Sequence, residues 1–114
     1  MHIEEKVVGD VVVLRPLGKI ILGDDDKVWE KAREVLAKGH KKILLNLVDV
    51  PYVDYAGLGT LVRIYSMASK QEAKLKFSNL SKKVRDLFAL TKLLTVFEVF
   101  DSEEEAIEAF DLPF

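Results

Sequence analysis

Val11, Val12, Val13 and Leu14 are apolar without interruption, so a strand there has no face left for water and must be covered on both sides. A one-sided sheet is thereby excluded, and the strand belongs at the centre of its sheet. A second run, Ile43-Leu44-Leu45-Asn46-Leu47-Val48, repeats the demand with one polar residue inside it. Between and after these runs, apolar residues recur at helical spacing. Val28, Ala32, Val35 and Leu36 form one stripe, and Leu58, Leu61, Val62, Tyr65 and Ala68 form a second. Val84, Leu87 and Phe88 form a third, and Ala106, Ile107 and Phe110 a fourth. Val7-Val8 precedes the first run across Gly9-Asp10, a tight primed turn in which glycine supplies the positive φ. Leu75-Lys76-Phe77 and Val96 to Phe100 read as further short strands. The order β, β, α, β, α, β, α, β, α predicts an α/β fold: one mixed sheet with an opening antiparallel hairpin, then alternating strands and about four helices.

Punctuation along the chain supports these elements. Arg15-Pro16 predicts the end of the second strand. Asp24-Asp25-Asp26 reads as a helix start rather than a metal site, because neighbours on one turn point in different directions. Gly39 ends that helix, Glu34 and Lys38 make an i,i+4 pair, and the basic run Lys38 to Lys42 suits the end of the dipole. Ser81 is placed to cap the third helix, and Ser102 with Glu105 has capping-box spacing ahead of the fourth. Asn46 needs a hydrogen-bond partner in its apolar strand, and neighbouring backbone is the expected one. Leu112-Pro113-Phe114 is an apolar tail whose packing the sequence leaves open.

A chain of 114 residues with no sign of a linker or repeat is expected to be one domain, residues 1–114. Its net charge of -2 and short basic run argue against nucleic-acid binding. The absence of cysteine excludes disulfides and thiolate metal sites. Neither a signal peptide nor a membrane-spanning stretch is expected, so the cytoplasm is the default location.

No catalytic set emerges. His2 and His40 lack the partners of a triad and read as surface residues, and both acidic clusters are explained as helix starts. No metal or cofactor is expected. Gly57-Leu58-Gly59 follows a buried strand as a dinucleotide loop would, but Val62 stands where the third glycine belongs. Asp54 is a good N-cap, able to accept from the N–H of Gly57. Two glycines cost a helix about 1 kcal/mol each relative to alanine, which asks for a packing or access reason. Tyr55 beside them is expected to be exposed, with Leu58, Leu61 and Val62 on the inner face. The segment Asp54, Tyr55, Ala56, Gly57, Leu58 and Gly59 is therefore the candidate partner-binding site.

The same residues resemble the STAS domain family, above all its free-standing anti-sigma factor antagonists. The likeness spans the hairpin, Gly18 before the first helix, Ile43 to Leu47, Val53-Asp54 with Gly57-Leu58-Gly59, and Val84-Arg85-Asp86-Leu87-Phe88. The resemblance implies a non-enzymatic module, a monomer in isolation, that binds an anti-sigma factor or serine-kinase-like regulator in a partner switch. In that family the residue before the glycine is a serine that a kinase phosphorylates. Here it is Ala56, which has no hydroxyl, so the expectation is a module without the usual switch that could bind constitutively. Thr60 and Ser66 are weaker alternatives as acceptors. Other readings are a scaffold subunit of a signalling or membrane-associated complex, and a nucleotide or anion sensor at the helix N-terminus.

Overall fold

The computed structural model describes residues 1–111, so the tail at 112–114 lies outside the described residues. The strands are β1 (His2–Val8), β2 (Val11–Leu17), β3 (Lys42–Asn46), β4 (Lys74–Ser78) and β5 (Glu98–Phe100). The helices are α1 (Asp25–Ala37), α2 (Tyr55–Lys70), α3 (Lys82–Leu90) and α4 (Glu103–Ala109). The strands lie side by side in chain order, β1 antiparallel to β2 and every later pair parallel. This is the mixed sheet with an opening hairpin that the alternation of patterns predicts. Gly9 turns the hairpin with φ +62°.

Both faces of β2 are covered. Val12 and Leu14 face a large core shared with Ile43, Leu45, Leu75 and Phe77, and closed by α1, α2 and α3. Val11 and Val13 face a small one, built with Leu44, Ala106 and Phe110 under α4. Ser81 caps α3 by accepting from Val84 N–H at 3.2 Å, and Ser102 caps α4 by accepting from Glu105 N–H at 3.2 Å.

Several expectations give way. β2 runs through Pro16, which sits opposite Ile3, instead of stopping at it. In a hairpin with a two-residue turn, hydrogen-bonded and non-hydrogen-bonded pairs alternate, so Pro16 falls in a non-hydrogen-bonded pair with β1. Its other edge is free because β3 pairs only as far as Leu14, and the missing N–H is not needed there. On α2 the inner residue is Ile64, fully buried, whereas Val62 is 40% exposed. The final strand is also shorter than the apolar pattern suggests, because Leu93–Thr95 forms a 3₁₀ turn and Val96 turns outward. Phe97 leaves the strand pattern to join Phe77, Phe88 and Tyr65 in an aromatic cluster with ring centroids 4.6 to 5.8 Å apart.

Polar groups tie the small face together. Lys76, 2% exposed, donates to Glu98 at 2.6 Å and lies against the rings of Phe100 and Phe110. Asn46 accepts from Val48 N–H, a neighbouring backbone group as expected, and also donates to the Glu103 carboxylate at 3.0 Å. Burial pushes the Glu103 carboxyl up, but Lys6 and Asn46 together hold it below its ordinary value.

Candidate docking surface

The start of α2 is fixed by the loop that follows β2. Ile20 makes an isolated parallel bridge with Val53, donating its N–H to Tyr52 and accepting from Asp54 N–H. The Ile20 carbonyl therefore lies under the first turn of α2. A Cβ on Gly57 would stand 2.0 Å from that oxygen, so only glycine fits unless backbone moves. Gly57 is buried and Leu58 is 6% exposed. Both sit beneath the helix tip, which corrects the expectation that they form part of the contact surface.

Asp54 organises what remains outside. Its carboxylate accepts from Gly57 N–H at 2.8 Å, as an N-cap should, and from Leu22 N–H at 3.0 Å. These backbone donors, Gly57 first and Leu22 second, hold its carboxyl below the ordinary value of 3.8. The second bond draws the β2–α1 loop against the helix and presents Leu22, 78% exposed, beside Tyr55, 73% exposed. Leu22 carries no periodic signal: it ends the apolar run Ile20-Ile21-Leu22, of which Ile20 is fully buried, and nothing in that run says that Leu22 is the one to face out. Gly59 is exposed, with nothing within 4 Å of a Cβ placed on it, and Ala56 is half-buried.

Across from the tip, Tyr52, Tyr55, Leu87 and Leu90 line a groove of about 280 Å³ between α2 and α3. Leu90 is 75% exposed, and the Lys83 ammonium lies 5.4 Å from the Tyr52 ring centroid. The tip and groove together present an apolar, aromatic-rich patch on a fixed backbone, the composition of an interface centre. An anion at the same helix end would face the Asp54 carboxylate, which already takes the Gly57 N–H; this argues against a phosphate cradle.

The alternative acceptors have different settings. Thr60 is 3% exposed, and its hydroxyl donates at 2.7 Å to Asp25, which also accepts from Gly23 N–H. Asp25 is thus the buried member of the aspartate run, joining α1 to α2, and sequence spacing offered no sign of it. Ser66 lies exposed near the middle of α2. Among the described residues, no group of three or more His, Cys, Asp or Glu could hold a metal ion, and no helix is long and apolar enough to cross a membrane.

Residues 2–106 match the model of the STAS domain. A candidate anti-sigma factor antagonist of Thermotoga maritima is 32% identical over 105 residues, covering 90% of this chain and 92% of that protein. The anti-sigma-B factor antagonist of Bacillus subtilis is 33% identical over 73 residues, 64% of this chain and 67% of its own length. The crystal structure of a candidate anti-sigma factor antagonist from Thermotoga maritima superposes with a TM-score of 0.89 at 30% identity, covering 94% of this chain and 92% of that one.

Proposed function

The chain belongs to the STAS domain family, and from that membership we propose that it is a protein-binding module whose partner is an anti-sigma factor. The observation that carries this reading is the composite tip: Tyr55 exposed at the start of α2, Leu22 exposed on the loop whose backbone is bonded to the Asp54 cap, and the Tyr52–Leu90 groove beside Tyr55. Such a surface places rigid apolar anchors where a partner can desolvate them, and supplies no reactive group for catalysis.

Residue 56 is alanine. A phosphoryl group there would add a charge of about -1.5 to -2 beside Asp54 and repel a docked surface. Without a hydroxyl at this point the tip stays in its unmodified state, so binding is constitutive and set by the amount of protein and by competing partners. Thr60 does not substitute, because its hydroxyl is buried and engaged with Asp25. The site of action in this reading is the cytoplasm, with the domain monomeric until it meets its partner.

The test is a titration with an anti-sigma factor or serine-kinase-like regulator from the same organism. Tyr55→Ala should weaken the complex by about 2 kcal/mol while leaving the unfolding midpoint unchanged. In the presence of a kinase partner and ATP, Ala56→Ser should take up label at residue 56, and the natural chain should take up none on α2. Unchanged affinity for Tyr55→Ala would move the interface away from the tip, and stoichiometric label on natural Thr60 would end the constitutive reading.

A further inference from the structure

The single tryptophan, Trp29 of α1, is half-buried beneath α2, and the Arg63 guanidinium lies 4.1 Å from its ring centroid. The pair forms one wall of a recess of about 390 Å³ completed by Ser66, Met67, Lys70 and Gln71. No carboxylate lines it. Among the described residues eight of the 17 lysines and arginines meet an acid within 4.0 Å; Arg63 and Lys70 are among the nine that do not, and these two line one recess. Lys70 alone is accounted for by the helix dipole, and Arg63 alone by the ring it covers. Seven residues apart on the rim of an open, partly apolar floor, in a chain of net charge -2, the two cations face no carboxylate among the lining residues.

We propose that this recess receives an acidic, partly apolar segment of the protein partner. Two features select that occupant. Arg63 and Lys70 are seven residues apart on one helix, about 10 Å along its axis, which is the reach of about three residues of extended chain. Side chains of an extended segment return to one face every second residue, so carboxylates four residues apart, their flexible stems closing the difference, would engage both cations, with the apolar side chain midway between them on Met67 and the exposed edge of Trp29. The recess is also continuous with the tip: exposed Gly59, Val62 and Ser66 run from Tyr55 down the outer side of α2, and the lack of any contact around Gly59 keeps that lane flat. The choice of a protein as occupant rests on the docking function proposed above. The recess and its unpaired charge do not.

Because Trp29 is the only tryptophan, its emission reports occupancy directly. The probe is a peptide of repeated Glu-Leu-Leu-Glu, compared with versions carrying Gln or Lys in place of Glu. The glutamate peptide should shift Trp29 emission saturably, whereas the other two should not. Arg63→Glu combined with Lys70→Glu should weaken binding on the order of tenfold or more, read by calorimetry as well as emission, with Lys92→Glu as a distant charge control. Circular dichroism melts establish that the variants fold. Equal binding of the Gln or Lys peptide, no saturable binding of the glutamate peptide, or full affinity in the double variant would each overturn the proposal. None of these readouts uses Tyr55, so failure of the recess and failure of the tip are separate results.

Discussion

The first turn of α2 has an inner and an outer side, and its two glycines show how differently they are built. Gly57 faces inward, where the Ile20 carbonyl leaves no room for a methyl group. Gly59, two residues on, faces open space with nothing within 4 Å. One glycine is required by packing, and the other has no internal reason and belongs to the surface. The contrast continues along the helix, with Leu61 and Ile64 fully buried and Val62 40% exposed, Arg63 and Ser66 outside. Identical residue types in one short motif therefore answer to opposite constraints: the inner side holds the fold, and the outer side is free to serve a partner.

The strongest way to break this division is to truncate both sides. Leu61→Ala should cost about 2–5 kcal/mol, whereas Val62→Ala should stay within about 0.5 kcal/mol, both by denaturant unfolding; similar costs would mean that the two sides are not energetically distinct. The glycines come next. Gly57→Ala must displace Ile20 or tilt the helix start, an overpacking worth about 1–3 kcal/mol, while Gly59→Ala should stabilise by up to about 1 kcal/mol through helix propensity. Opposite signs in thermal unfolding are the expected result.

The smallest effect concerns the cap that joins the two sides. The Asp54 carboxyl is depressed below 3.8 by the Gly57 and Leu22 N–H groups. Its contribution is therefore complete above the unfolded-state value and is lost as pH falls through the lower folded-state value. The Gly57 and Leu22 amide resonances should move with a midpoint below 3.8, and that step should vanish in Asp54→Asn; a midpoint at or above 3.8 would remove the double cap.

The elements with strong local signals were legible in the sequence. The unbroken apolar run at Val11 to Leu14 requires two covered faces and has them. Ser81, Ser102 and Asp54 are caps whose donors lie three residues on, so proximity along the chain suffices to identify them. Tyr55 was expected outside and is 73% exposed. What could not be read are contacts between distant segments: Leu22 on Asp54, Asp25 on Thr60, and Glu103 on Asn46, at separations of 32, 35 and 57 residues. Lys76 shows the same limit, since nothing in its strand announces that it will be 2% exposed between two aromatic rings. Periodicity also misassigned Val62 and passed over Ile64, because the crossing of α2 over the sheet, and not the spacing, decides which of the two is buried.

By itself the sequence determined the order of elements, their caps and the two-sided burial of the central strands, because periodicity, capping and turn chemistry act over a few residues. It also determined that residue 56 carries no hydroxyl. Only the tertiary structure decided which glycine is buried, which loop leucine joins the tip and which cations lack an acid. Those outcomes depend on where the Ile20 backbone and the α1–α2 crossing bring remote atoms together, and spacing along a chain does not encode a distance of that kind.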